Sequence, residues 1–143
     1  KKKKRKMNVI SHVSIGVSDV EESVKFYDKI MALFGAKRQK EVKEEGTLVA
    51  VGYGKYFPEF WITLPLNENP SKPNNGGHIS FNAKNQDIVK DFHKIALENG
   101  GTDAGLPGPR PDYDARYYGA FVLDPDGHKI EATFFDMGLW NYC

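Results

Sequence analysis

Three residues of this 143-residue chain carry the donor types of an open transition-metal site: His12, His78 and Glu131. Two neutral imidazoles and one carboxylate suit a divalent Zn, Ni, Fe, Mn or Co ion and leave positions for water or a substrate. Such an open site points to catalysis more than to structure. Taken singly, each histidine also reads as an ordinary strand histidine hydrogen-bonded in a core. Their context raises the metal reading. His12-Val-Ser-Ile-Gly-Val17 and His78-Ile-Ser-Phe-Asn-Ala83 are alike and lie 66 residues apart, and the same offset pairs Asp19 with Asn85, Phe26 with Phe92 and Gly35 with Gly101. The repeat predicts two copies of one small unit packed about a pseudo-twofold axis, which brings the two imidazoles toward a common centre. Glu131, between Ile130 and Ala132, needs a partner if its face is buried, and a metal is one such partner.

The elements that must position these groups follow from periodicity. Val9 to Val17 alternates as a strand, with His12, Ser14 and Gly16 on one face. Ser18-Asp19 then caps a helix with Glu21 and Glu22 in its first turn, Val20, Val24, Tyr27, Met31 and Phe34 at helical spacing, and Gly35 as its stop. Lys37 to Glu44, Thr47 to Tyr53 and Glu59 to Leu64 read as an antiparallel meander with a turn at Glu45-Gly46, which completes a βαβββ unit. A polar segment, Asn67 to Gly77, links it to a second unit. There, Gly77 to Ala83 is a strand, Asn85 caps a helix carrying Ile88, Val89, Phe92 and Ala96, and Gly100-Gly101 ends it. Gly105 to Pro111 is too rich in glycine and proline for regular structure and reads as a fixed loop, followed by strands Tyr117 to Leu123 and His128 to Phe134 around the turn Asp124-Pro125-Asp126-Gly127.

Between Arg110 and Tyr118 the chain gathers cations, phenols and carboxylates, in a loop that enters a strand. Arg110 or Arg116 suits an anionic substrate through its planar fork, and Tyr113, Tyr117 or Tyr118 offers a phenol. Tyr117 and Tyr118 alternate, so one of the two is expected in the core. Trp61 reads equally as a cavity wall or as plain packing. Of these, Arg110, Tyr113 and Tyr118, together with Trp61, are assigned to substrate binding. His93 and His128 read as surface or capping residues.

At 40% hydrophobic residues the chain suffices for one well-packed domain, with no apolar run long enough to cross a bilayer. Its lone cysteine, Cys143, fits a reducing, cytoplasmic setting and excludes a thiolate zinc site. The net charge of +1 comes from the basic residues 1–6 ahead of Met7, which read as an appended or inert leader; from Met7 onward 14 basic residues face 19 acidic ones. That acidic body argues against a nucleic-acid surface. No glycine-rich phosphate loop and no nucleophile elbow occurs. The division is therefore a leader at 1–6 and a single domain at 7–143, with module one at 8–66, a linker at 67–76, module two at 77–135 and a tail at 136–143.

Ile10-Ser-His-Val-Ser-Ile-Gly-Val17 leading into Phe26-Tyr27, then Gly77-His-Ile-Ser-Phe81, then Leu123-Asp-Pro-Asp-Gly-His-Lys-Ile-Glu131 resemble the vicinal oxygen chelate superfamily. That group includes glyoxalase I, fosfomycin resistance proteins, bleomycin-binding proteins and extradiol dioxygenases. The resemblance implies an α+β fold in which two βαβββ modules form a cupped mixed sheet around one divalent metal ion. It implies His12, His78 and Glu131 as ligands and a carboxylate that moves a proton, for which the sequence offers Glu131 or Glu59, Glu131 being the one assigned. Glyoxalase I places a further glutamate inside the last strand of its first module; here that strand reads Phe60-Trp-Ile-Thr-Leu64, with Glu59 only at its start, so three ligands are expected. The implied function is a metal-dependent glyoxalase-like enzyme, a lyase, isomerase or dioxygenase, that chelates a small oxygen-rich substrate through neighbouring oxygens. The alternative is a non-catalytic drug- or metabolite-binding protein of the bleomycin-resistance kind. A homodimer is expected, with the site within one chain or across two.

Overall fold

A computed structural model describes residues 8–135; the basic leader, the tail and Cys143 lie outside the described residues. The chain runs β1 (Val13–Gly16), α1 (Val20–Leu33), β2 (Lys37–Glu44), β3 (Thr47–Gly54), β4 (Phe60–Thr63), β5 (Ile79–Asn82), α2 (Gln86–Glu98), β6 (Thr102–Pro109), β7 (Tyr117–Leu123) and β8 (Lys129–Phe135). Two four-stranded mixed sheets result, ordered β1-β4-β3-β2 and β5-β8-β7-β6. In each, the first strand runs parallel to the last and the remaining pairs are antiparallel.

The repeat is visible at the level of hydrogen bonds. Asp19 accepts the Glu22 N–H at 3.1 Å, and Asn85, its counterpart, accepts the Ile88 N–H at 2.9 Å, each supplying the first helical turn with an acceptor. Each helix ends where a glycine takes a positive φ, 71° at Gly35 and 94° at Gly100, a backbone state that penalises any side chain. The helices lay Val20, Val24, Ile30 and Met31, and Val89, Phe92 and Ala96, onto one face of the sheets, where they meet Val51, Phe60, Ile62, Ala120, Val122, Ile130 and Ala132. The modules join through rings, Phe81 lying 5.2 Å from Phe60 and 5.4 Å from Phe34.

Two elements differ from the sequence expectation. The first strands are shorter, so His12 and His78 stand one residue ahead of β1 and β5 rather than inside them. The segment expected as an irregular loop at Gly105 to Pro111 is instead largely strand β6. It is the outermost strand of its sheet and slips register between Asp103 and Gly105 and again between Gly105 and Gly108. An edge position with bulges is where a strand tolerates Pro107 and Pro109, whose missing N–H groups break no interior ladder.

The Asp124-Pro125-Asp126-Gly127 turn fastens the second module to the first. Asp124, 3% exposed, accepts the Tyr27 hydroxyl at 2.5 Å and the N–H groups of Asp126 and His128 at 2.9 Å each. Asp126 accepts the Ser18 N–H at 3.0 Å and the Ser18 hydroxyl, while His128 Nε2 donates to the Gly16 carbonyl at 2.5 Å. Burial pushes the Asp124 carboxyl up, although the Tyr27 bond opposes this, and burial and Asp124 together push the Tyr27 phenol well up, so Tyr27 keeps its proton and donates.

Candidate metal centre

Strand alternation decides which side chains leave the helix-covered face. In β8, Ile130 and Ala132 are buried in the core and Phe134 packs against it, so Glu131, Thr133 and Phe135 point to the opposite, open face. The registers Phe121↔Glu131, Gly119↔Thr133 and Tyr117↔Phe135 put Phe121, Gly119 and Tyr117 there too. Across the parallel pair, Ser80 lies opposite Glu131, which brings His78, two residues earlier, to the same face.

A hydrogen-bond chain runs across that face. Glu131 Oε1 lies 3.2 Å from His78 Nε2, and Oε2 accepts the Tyr117 hydroxyl at 2.5 Å. The Tyr117 oxygen also lies 3.1 Å from Thr133 Oγ1, which is 2.5 Å from Ser80 Oγ. Glu131 is only 1% exposed despite its place on the open face. Room for its carboxylate comes from Gly119, where a methyl would sit 2.9 Å from Oε2. Burial, then the bond to Glu131, pushes the Tyr117 phenol up, so it remains a proton donor at neutral pH. Two ligands at about 2.1 Å from one cation, held at right angles, are about 3.0 Å apart. The His78 and Glu131 spacing fits such a neighbouring pair.

Phe121 forms one wall of this site. His78 meets it edge-on at 5.6 Å, and the Lys129 ammonium and Arg110 guanidinium lie 4.6 and 5.7 Å from its ring centre. Beside His78 a cavity of about 430 Å³ opens, lined by Asn74, Asn75, Gly77, Leu123 and Lys129 among others. The Arg110 guanidinium is committed to its own strand end, donating to the carbonyls of Leu106 at 2.8 Å and Gly108 at 2.9 Å. Tyr113 is exposed and stacks edge-on against Tyr117 at 5.1 Å. Tyr118 packs against the hydrophobic core, so the phenol that reaches Glu131 is that of Tyr117. The signal for Tyr117 lay in the turn: pairing Leu123 with Lys129 across it gives Tyr117 the parity of Glu131.

The other sequence-assigned residues lie on the first sheet. His12 is exposed ahead of β1, with Ser11 Oγ 3.0 Å from its Nδ1. Trp61, in β4, shares its sheet's open face with Thr63. Glu59 Oε2 accepts the Lys55 N–H at 3.2 Å within its own turn. Among the described residues, no three His, Cys, Asp or Glu side chains gather at one point. One chain thus brings His78 and Glu131 together and leaves His12 apart from them.

Sheet order, parallel first-to-last pairing and a glutamate–histidine pair on an open face define a class of protein, and comparison with known families agrees. Residues 9–132 match the model of the Glyoxalase/Bleomycin resistance protein/Dioxygenase superfamily, and the chain belongs to that family. It is 35% identical over 123 residues to a Synechocystis protein named "Probable lactoylglutathione lyase", covering 84% of this chain and 90% of that protein. It is 32% identical over 123 residues to the lactoylglutathione lyase of Escherichia coli O157:H7, covering 84% and 87%. Among solved structures, a glyoxalase/bleomycin resistance protein from Albidiferax ferrireducens superposes with a TM-score of 0.77 at 34% identity, covering 89% of this chain and 99% of that one. No helix among the described residues is long and apolar enough to cross a membrane.

Proposed function

We propose that the protein is a divalent-metal-dependent, glyoxalase-like lyase whose centre is completed between two copies of the chain. His78 and Glu131 come from one copy and His12 from the other. The observation that carries this reading is the buried Glu131 carboxylate, held by Tyr117 on one oxygen and set 3.2 Å from His78 on the other. The isolation of His12, ahead of the edge strand β1, which pairs with β4 alone among the described residues, favours the second copy as its source. A pocket that only sequestered a ligand would have no use for a buried carboxylate paired to an imidazole.

The substrate class that the lactoylglutathione lyase relatives suggest is the adduct of a 2-oxoaldehyde with a thiol, which carries two neighbouring oxygens. When bound, a divalent ion supplies Lewis-acid stabilisation of negative charge on those oxygens. The chain's own residues do the rest. Tyr117 fixes Glu131 Oε2 and leaves Oε1, beside His78, to serve in turn: it would hold the ion in the resting site and, once the substrate's two oxygens take that place, would be free to take a proton from the hydroxyl-bearing carbon and return it to the adjacent one. The carbon–hydrogen bond and the hydroxyl O–H bond broken at the first carbon are remade at the second, whose carbonyl becomes the hydroxyl as the first becomes the carbonyl, so the reaction is an internal redox shift with no external oxidant. Phe121 keeps water from the carboxylate, and the cavity beside His78 has room for the remainder of the adduct.

Mixing two inactive variants tests both halves of this reading. His12→Ala and Glu131→Ala each abolish lyase activity with methylglyoxal and glutathione. Subunit exchange between them restores about a quarter of wild-type activity, because half the random dimers are mixed and each has one intact site. No recovery on mixing, with exchange shown by mass spectrometry, refutes the shared site.

A further inference from the structure

The two parallel registers identify the first-module residue that corresponds to Glu131. Ser80 sits opposite Glu131 across β5 and β8, and Ser14, its counterpart 66 residues earlier, sits opposite Trp61 across β1 and β4. Trp61 therefore occupies in the first sheet the place of the carboxylate in the second. Its neighbours Phe60 and Ile62 are buried in the core, which sends the indole to the open face that His12 also borders. The indole has a built seat. Gly52 pairs with Trp61, and a methyl there would lie 2.8 Å from Trp61 Cε2 and 2.6 Å from Pro58 Cβ, so only a glycine lets the ring lie down across β3. Glu59, the nearest acid along the strand, faces its own turn and offers no substitute carboxylate.

We infer that Trp61 forms the aromatic wall of the completed centre and that the substrate bears a planar, aryl or unsaturated substituent beside its two oxygens. This rests on the reading that His12 of one copy joins His78 and Glu131 of another. An indole face holds a planar group by area burial and offset stacking, and gains little from a short aliphatic one. With tryptophan in place of a second acid, Glu131 is the sole carboxylate at the metal, and selectivity is set by shape on the opposite side.

The test uses two vicinal-oxygen chelators, benzohydroxamate and acetohydroxamate, which differ by a phenyl in place of a methyl. The chain holds two tryptophans, so a Trp140→Phe parent leaves Trp61 as the only indole reporter. Loaded with Ni(II), this parent shows quenched Trp61 fluorescence and binds benzohydroxamate about tenfold more tightly than acetohydroxamate. Adding Trp61→Leu, which keeps an apolar side chain, shrinks that preference to about twofold, whereas Trp61→Phe keeps most of it. An unchanged preference in a Trp61→Leu protein that still holds nickel overturns the inference and leaves the metal reading standing. Failure of the parent to bind nickel overturns both.

Discussion

The two modules share a frame and differ on one face. Helix caps, stop glycines, strand order and first-to-last parallel pairing recur, because all of them serve the single core between helices and sheets. On the open faces the same register position holds Trp61 in one sheet and Glu131 in the other, and the supporting glycine moves with it, Gly52 beneath an indole and Gly119 beside a carboxylate. Packing constrains what faces the helices, and chemistry is free to diverge on the side that does not build the core. A duplicated fold can thus present a carboxylate at one register position in one half and an indole at the same position in the other.

The sharpest way to break this comparison is to remove the carboxylate. Glu131→Ala lowers metal affinity about a hundredfold or more if Glu131 is the ligand proposed above, while Trp61→Ala leaves metal content near that of the wild type. Metal analysis of the two purified variants checks this, and equal losses would erase the asymmetry. Next in size is the seam between the modules. Tyr27→Phe leaves the buried Asp124 without its phenolic donor, at a cost of about 2 kcal/mol, read as a lower urea midpoint with an unchanged slope. A smaller effect falls on the carboxylate's support. Tyr117→Phe keeps the ring between Tyr113 and Phe135 but frees Glu131 Oε2, and metal affinity drops about tenfold with stability nearly unchanged.

Much of this architecture was legible in the sequence, for reasons that differ by residue. The caps at Asp19 and Asn85 and the stops at Gly35 and Gly100 are local, so spacing alone locates them. Glu131 was legible because an acid in an apolar strand must find a partner. Tyr117 was passed over for Tyr118, because choosing between adjacent strand residues requires the pairing register, which is a tertiary fact. β6 was hidden by its prolines, which deter a strand only in the interior of a sheet. The distance of His12 from the His78 and Glu131 pair was illegible, since a repeat predicts symmetry and does not say whether one chain or two complete it.

Each module also ties its helix to its outermost strand through an aspartate, which sits on the helix in the first and on the strand in the second. In the first, Asp28 on α1 receives both Nε and Nη2 of Arg38 on β2 at 2.9 and 2.7 Å, plus the Tyr53 hydroxyl at 2.8 Å. In the second, His93 on α2 meets Asp103 on β6 at 2.8 Å. Burial alone would raise the Asp28 carboxyl, but the Arg38 and Tyr53 bonds overcome it and hold the group below the usual aspartate range; the His93 bond, aided by the Gly105 N–H, lowers Asp103. A lowered folded-state value means that stabilisation is complete above the ordinary aspartate pKa near about 4 and is lost as pH falls through the folded value. Stability therefore declines on the acid side for both latches. Both carboxylates are exposed, but Asp28 accepts from three side-chain donors, two of them on one guanidinium, whereas Asp103 has the His93 ring and one backbone N–H, so Asp28→Asn flattens the decline below about pH 4 more than Asp103→Asn does. Urea midpoints measured from pH 6 down to pH 3 decide it. A larger flattening from Asp103→Asn would place the stronger latch in the module that also carries the carboxylate.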